Sequence, residues 1–472
     1  MNRASMRWRL PALALAVLAL AGCASPAPEQ AFAPVQQAAR DHLGKDVHWA
    51  RTEADRARLQ TQVSALLAQP LTMDAAVQLA LLNNRGLQAN FAALALSDAQ
   101  RAQATRLPNP GISFGRISGG GERELEWGLH LDLARVLALP MVRTLEARRF
   151  ERDRLASTEQ VLSLAAQTRA AWVQAVAAEE SVRYAGQVRQ AAQASAELAR
   201  RMAQVGNFTQ LERAREQSFL AEAELRVAQA EQLRLHTREQ LTRLLGLWGE
   251  QTAFRLPQRL PDLPQAPRTL PTVERTALET RLDVQGARAA VAQTADNLGL
   301  SRATRFVNVF EVGALRKDPQ QGATERGWEI ALELPLFDWG DARIAQAEAL
   351  YLQAFEQAAQ TAIDARSEVR EAYGQYRLAW DVARHHREVL VPLRQRISEE
   401  NLLRYNGMLI GVFELLADAR AQIAAVDAAI GALRDFWLAQ ARLDMAMLGR
   451  TVPSPAIASP LQVSVEPAGA AH

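Results

Sequence analysis

The strongest constraint on this chain is that it repeats itself. Leu81-Leu82-Asn83-Asn84-Arg85-Gly86-Leu87-Gln88-Ala89 aligns with Leu278-Glu279-Thr280-Arg281-Leu282-Asp283-Val284-Gln285-Gly286 at an offset of 197. Trp127 aligns with Trp328, Ala171-Trp172 with Ala372-Tyr373, and Gly206 with Gly407, all at 201. Leu245-Gly246 meets Leu448-Gly449 at 203. Nearly constant offsets over most of 472 residues describe one duplicated unit rather than two unrelated domains. Between the copies stand Pro257, Pro261, Pro264, Pro267 and Pro271. Neither a helix interior nor a central strand accepts proline at that spacing, so this is an extended linker.

Within each copy the order is helix, strand pair, long helix, shorter helix. The Ala/Leu/Arg/Gln/Glu-rich stretches read as helices over about 71–106, 141–205, 208–246, 271–303, 340–406 and 412–449. A helix over 141–205 would be ~98 Å long. The first copy's two shorter helices together match it in length, so they can stack end to end beside it. Apolar positions such as Ala170-Ala171-Trp172-Val173-Gln174-Ala175-Val176-Ala177-Ala178 are small and spread round the helix. That suits a curved wall of helices better than a two-stranded seam. Beyond the N-terminal run, no window holds eighteen consecutive apolar residues, so no membrane helix is expected.

Two windows alternate instead. In Glu124-Leu125-Glu126-Trp127-Gly128-Leu129-His130-Leu131-Asp132-Leu133 every second residue is large and apolar. Trp328, Ile330, Leu332 and Leu334 alternate likewise with Gly327, Glu329, Ala331 and Glu333. Ten-residue strands with one apolar and one polar face are the signature of transmembrane β-strands, although amphipathic hairpins on a soluble domain share it. With weaker upstream partners, strands are expected at about 109–118, 124–133, 305–315 and 325–336. Ser118-Gly119-Gly120-Gly121 and Arg316-Lys317-Asp318-Pro319-Gln320-Gln321-Gly322 would be the hairpin tips. Glu124, Glu126, Asp132, Glu329 and Glu333 would face a lumen, and simple avoidance of lipid would place them there equally well. Phe114, Trp127, Phe306, Phe310, Trp328, Phe337 and Trp339 could form interfacial girdles or pack where barrel meets helices. Four strands cannot close a barrel, and open edges are not tolerated in lipid. The chain must therefore oligomerise, and three copies would supply twelve strands.

The N-terminus reads as a targeting segment. Arg3, Arg7 and Arg9 precede an apolar run from Leu10 to Leu20, followed by Leu20-Ala21-Gly22-Cys23. This resembles the bacterial lipobox, which implies cleavage before Cys23 and diacylglycerol attachment to its thiol. Ala24, rather than Asp, follows the cysteine, and the resemblance then favours the outer membrane. Removing residues 1–22, which hold three Arg and no acid, takes 472 residues to 450 and the formal charge from +2 to −1. The expected organisation is 1–22 signal peptide, 23–70 lipidated N-terminal segment, 71–249 first repeat, 250–270 Pro-rich linker, 271–450 second repeat and 451–472 Pro/Ala-rich tail.

Several separate motifs in order resemble the TolC-type outer-membrane efflux family over roughly residues 70–450. They are Leu71-Thr72-Met73-Asp74-Ala75-Ala76 leading into Leu82-Asn83-Asn84; Leu107-Pro108-Asn109-Pro110 before the first strand; Leu334-Pro335-Leu336-Phe337-Asp338-Trp339-Gly340-Asp341-Ala342-Arg343 after the fourth; and Arg404-Tyr405-Asn406-Gly407 with Glu414-Leu415-Leu416-Ala417-Asp418-Ala419-Arg420. One departure is Leu137-Ala138-Leu139-Pro140, where the family often has a Gly-Gly-basic turn. The resemblance implies a mainly α fold with a membrane β-barrel portion. A homotrimer would join a long α-helical barrel to a twelve-stranded β-barrel, four strands per chain, as a passive exit duct of a tripartite efflux or secretion system. A periplasmic adaptor and an inner-membrane pump would dock at the helix-to-helix turns at Gly206 and Gly407, where glycine is expected in the left-handed conformation. It also implies that Glu414 and Asp418, at i,i+4 on one helix face, ring a narrow aperture; alternatively they are solvated and paired with Arg420. Glu212, in the matching part of the first repeat, is flanked by Arg213 and Arg215.

Chemistry is sparse. One cysteine excludes an intramolecular disulfide or a Cys-based metal cage. A net charge of +2 gives no basic face for nucleic acid on total count. His385-His386 point about 100° apart on a helix and cannot share a metal. Met445 and Met447 read as core packing. Ser118-Gly119-Gly120-Gly121 lacks the Lys-Ser/Thr of a phosphate loop. No catalytic grouping, cofactor or enzyme activity is expected. A periplasmic adaptor would need more β structure than four strands, and a non-porous structural lipoprotein spanning the periplasm would not need alternating strands.

Overall fold

A computed structural model describes residues 28–119, 122–306, 309–333 and 335–451. The expected signal peptide, Cys23 and nearly all of the 451–472 tail lie outside the described residues. The elements are α1 Pro28–Leu43, α2 Glu53–Leu67, α3 Met73–Asn83, α4 Arg85–Ala104, β1 Gly111–Gly119, β2 Glu122–Asp132, α5 Leu133–Gln204 and α6 Gln210–Leu245 in the first half. The second half holds α7 Val273–Thr280, α8 Leu282–Ala303, β3 Phe310–Pro319, β4 Glu325–Leu332, α9 Asp341–His385, α10 Val391–Asn406 and α11 Val412–Leu448.

The helices form a wall of four columns. In the first repeat α4 and α6 stack end to end beside α5, whose 72 residues span ~108 Å. In the second, α8 and α11 stack end to end between α5 and the α9–α10 column. Matched tethers close each repeat. Near the strands, Arg143 donates to the Thr105 carbonyl at the end of α4, and Arg343 donates to the Thr304 carbonyl at the end of α8, both at 3.4 Å. At mid-height, Asn84 Nδ2 donates to the Leu244 carbonyl (2.9 Å), and Thr280 Oγ1 donates to the Met447 carbonyl (2.9 Å). Each mid-height bond fills a carbonyl that a helix C-terminus leaves without an intrahelical partner. Gly246 is needed there: its φ is +66°, and a Cβ would sit 2.7 Å from the Asn83 carbonyl oxygen.

The proline-rich linker is held rather than loose. Prolines donate nothing, so the segment offers carbonyls, and side chains from the second repeat fill them. Trp437 Nε1 donates to Pro261 O and Trp380 Nε1 to Pro264 O, each at 3.0 Å, and Arg387 donates to Leu263 O at 3.1 Å. The aligned aromatics play reversed hydrogen-bond roles. Trp172 Nε1 donates to the Leu71 carbonyl (2.7 Å), whereas Tyr373 accepts from Leu270 N (3.3 Å). Trp172 and Tyr376 each anchor a buried apolar cluster.

Several stretches depart from the sequence expectations. The helices expected over 71–106 and 271–303 each break in two, at Asn84 and Arg281, whose backbones are extended. The long helix begins at Leu133 instead of 141, because the Asp132 carboxylate caps it (Arg135 N to Oδ1, 2.9 Å), and Pro140 sits inside it. The 340–406 helix is interrupted by a π-turn at His386–Leu390. Pro392 has no N–H for the carbonyl four residues back, and a wider turn absorbs that loss. The third strand begins at Phe310, and Arg316 to Pro319 belong to it rather than to the hairpin tip, while β4 ends at Leu332. Within 23–70, α1 buries Phe32, Val35 and Ala39, spaced i, i+3, i+7, against α4 and α5.

Within the second repeat, facing α5 of the first, lies buried charge. Arg281, 1% exposed, binds Asp283 and Glu368 (2.7 and 2.9 Å) and the Ala446 carbonyl (3.1 Å). Across from it on α5, Glu159 accepts from Arg450 N at 3.0 Å. Burial pushes the Glu159 carboxyl above its ordinary 4.5, with nearby Asp283 adding to the shift. The native state therefore holds the proton above pH 4.5, where the unfolded chain has released it, so this group's contribution falls as pH rises through that window. Glu159→Gln should match the parent at pH 4 and become more stable relative to it by pH 7, read from urea midpoints in detergent. A stability difference that does not change with pH would contradict the assignment.

Candidate functional site: the two ends of the wall

At the strand end, β1-β2-β3-β4 form one antiparallel sheet whose outer edges, β1 and β4, have no partner strand among the described residues. The register sorts the side chains by face. One face carries Ile112, Phe114, Leu125, Trp127, Leu129, Leu131, Phe310, Val312, Trp328, Ile330 and Leu332, many of them largely exposed. A contiguous apolar surface of this extent marks contact with lipid or protein. The other face carries Glu124, Glu126, Asp132, Glu311, Glu325 and Glu329, with Lys317 and His130 among them. Lys317, one of the chain's two lysines, bridges Glu126 and Glu124. Ser113 Oγ and His130 Nε2 lie 2.8 Å apart across Gly128, where a Cβ would strike both. Asp132 is spent on the α5 cap, and Glu333, one residue past β4, donates its backbone N–H to Val309 O. Phe306 and Trp339 meet edge to face just below the strands. Gly120 and Gly121 lie outside the described residues.

At the opposite end, the α5–α6 and α10–α11 turns close with the same pair of hydrogen bonds. Asn207 N donates to Met202 O and Gly206 N to Ala203 O; Leu409 N donates to Arg404 O and Met408 N to Tyr405 O. Gly206 takes the expected left-handed conformation, φ +82°. Gly407 does not: its φ is −80°, and Met408 takes φ +60°. The second helix ends one residue later than the offset of 201 implies, which hands the strained position to methionine. Val205, Leu211, Leu403, Met408 and Leu409 project exposed around these turns.

Glu414 is exposed on α11, and Asp418 is half-buried and accepts from Asn401 Nδ2. Neither pairs with Arg420. Arg420 reaches the first repeat, binding Glu216 at 2.6 Å and stacking 4.4 Å over the Phe219 ring. Glu216 is 2% exposed and also accepts from Ser195 Oγ at 2.6 Å. Phe208 and Phe413 stack at 4.9 Å, and Tyr184 donates to the Ile423 carbonyl at 3.2 Å. The tip-side halves of the two repeats are therefore held together by an ion pair whose carboxylate is buried, an aromatic pair and, farther up, a hydrogen bond. Glu212 closes a capping box with Thr209 instead of facing the second repeat. Midway up the wall, a cleft of about 790 Å³ between α5, α6, α9 and α11 is lined by Gln167, Gln174, Gln240, Gln375, Arg243 and Arg442.

No family model and no curated protein matches the chain. Solved structures do. The outer-membrane channel OprN is 18% identical with a TM-score of 0.67, over 85% of this chain and 93% of its own. The CmeC outer membrane channel of Campylobacter jejuni is 16% identical with a TM-score of 0.66, over 85% and 89%. The outer membrane protein VceC of Vibrio cholerae is 15% identical with a TM-score of 0.65, over 83% and 96%. The chain has the fold of these outer-membrane channels.

Removing the guanidinium from the tip leaves Glu216 buried without its cation. Arg420→Met should lower stability by about 2 kcal/mol, below the usual cost of breaking a fully buried pair because the Arg420 side chain is 37% exposed. Limited proteolysis should then cut first at the turns around residues 206 and 407, with core helices following later. An unchanged cleavage pattern would show that the pair does not hold the tips.

Proposed function

We propose that three copies of this chain form a passive duct through the outer membrane, and that solutes delivered in the periplasm leave through it. The observation that carries this reading is the sheet: one face apolar from its base to the row of Ile112 and Trp328, the other acidic, both edges open, and its strands running directly into a ~108 Å helix. Twelve strands from three chains remove every edge, turn the apolar faces to lipid and enclose the carboxylates. The shared fold with outer-membrane channels supports the same reading.

Anchoring fits the geometry. Phe32 of α1 packs against Phe91, which lies ~20 Å along α4 from its strand-side end. The other end of α1, Leu43, packs with Leu162 and Met445 farther from the strands. The five residue steps from Pro28 back to Cys23 reach at most ~18 Å. An acyl chain on Cys23 would thus reach the membrane face at the base of the strands. One diacylglycerol-modified cysteine adds membrane affinity without spanning anything.

At the far end, the exposed apolar residues around Gly206 and Gly407 suit docking of a periplasmic adaptor, which would couple the duct to an inner-membrane pump that supplies the energy. Threefold symmetry would set Glu414 and Asp418 around the mouth. Asn401 already holds Asp418, so Glu414 is the freer carboxylate. Such a ring attracts cations and resists closure through like-charge repulsion.

Purified protein in a planar bilayer should give discrete, cation-selective single-channel steps. Glu414→Ala/Asp418→Ala should change conductance or cation preference by ~2-fold or more. Absence of channels under all conditions would refute the duct; parent-like behaviour of the double variant would remove these two residues from the mouth.

A further inference from the structure

The apolar face of the sheet changes character near the hairpin tips. From Phe310 and Leu332 up to the row Ile112–Leu129–Ala314–Trp328 it holds no charge. The next row is Phe114–Trp127–Arg316–Arg326. Beyond it come Arg116–Leu125–Asp318 and then Ser118–Arg123. Four guanidiniums thus gather at one end of the face that carries Trp127, against one carboxylate, Asp318. That carboxylate is engaged by Arg316 at 3.0 Å. Arg116 and Arg326 are exposed and make no side-chain hydrogen bond or ion pair among the described residues. The opposite face has the reverse composition, acids with only Lys317 and His130.

Rows two residues apart are ~7 Å apart along a strand, and three strand spacings cover ~14 Å. The patch is therefore roughly 14 Å on a side, and it flanks and overlies the Phe114–Trp127 aromatic pair, whose rings lie 4.7 Å apart. Arginine on a lipid-facing strand is tolerated near the interface, where the stem lies along apolar surface and the head reaches polar groups. Guanidinium is also the side chain best matched to phosphate oxygens. The tips point away from the helices, so in an outer-membrane duct this end lies in the outer leaflet.

We propose that Arg116, Arg123, Arg316 and Arg326 form a binding site for the phosphates of a glycolipid headgroup in the outer leaflet, seating the barrel at a fixed depth. This rests on the duct reading, which places the Trp127 face in lipid. Because β1 and β4 are the open edges, Arg326 of one copy and Arg116 of the next would border the same seam, and one headgroup could bridge two chains.

The test incorporates purified protein into vesicles doped with either diphosphorylated lipid A or its phosphate-free counterpart. Lipid retained after re-extraction is measured by native mass spectrometry, with single-channel recording on the same preparations. The parent should enrich phosphorylated over phosphate-free lipid A by ~10-fold or more. Arg116→Gln/Arg316→Gln/Arg326→Gln should lose that preference while conducting as the parent does. Lys317→Gln, on the opposite face, should keep it, and millimolar inorganic phosphate should not displace the lipid. Equal retention of both lipids, a triple variant with full preference, or displacement by inorganic phosphate would overturn the site while intact conductance leaves the duct standing. Failure of the parent to conduct at all would overturn both.

Discussion

A strand edge in hydrocarbon has nowhere to put its N–H and C=O groups, and each one left unsatisfied costs several kcal/mol. Most of this molecule can be understood from that one constraint. On the duct reading, a four-stranded sheet whose lipid-side face is apolar up to a basic rim near the hairpin tips needs partners for β1 and β4, and identical copies supply them with the least new surface. The helical wall poses the same problem in a milder form. Its outer columns, α4–α6 on one side and α9–α10 on the other, flank α5 and the α8–α11 stack in an arrangement that is open at both sides.

Duplication explains how so long a wall holds its register. Each repeat joins two short helices end to end beside a long one, and such a joint leaves unpaired carbonyls. Asn84 in one repeat and Thr280 with Arg281 in the other fill them from the equivalent helix break. The solutions differ chemically. Asparagine is neutral, whereas Arg281 brings a buried charge that needs Asp283 and Glu368. The second repeat is also the interrupted one, with a π-turn before Pro392, while α5 runs unbroken. The two copies therefore share an architecture but differ in helical continuity, and Glu216–Arg420 ties the continuous copy to the interrupted one near the tips.

What could be read in advance followed the length scale of each signal. Alternation in 125–131 and 328–332 is strong, and those strands were legible. The bounds of β3 are not legible because Ala314 and Arg316 blur its apolar face and Leu315 lies on the acidic one, while charged residues at 316–318 resemble a turn. Duplication was legible as offsets, but a one-residue slip at the tip moved the left-handed position from Gly407 to Met408. Glu124, Glu126, Asp132 and Glu329 share one face, as alternation requires, while Glu333 lies past the end of β4. The contacts of Arg420 were not legible: Glu216 is 204 residues away, and no local pattern marks a pair made across repeats. The basic patch near the tips is not legible in the sequence either, since it forms only through the register of all four strands.

The central claim is that β4 of one copy pairs with β1 of the next. Within one chain these edges are separated by two intervening strands, ~14 Å, too far for a disulfide. Cysteine pairs placed along the edges at Ile112 or Phe114 and at Trp328 or Ile330, oxidised in the membrane, should yield covalently linked dimers and trimers on denaturing gels for the in-register pair. Oxidation that leaves only monomers for every pair would contradict closure of the barrel between copies.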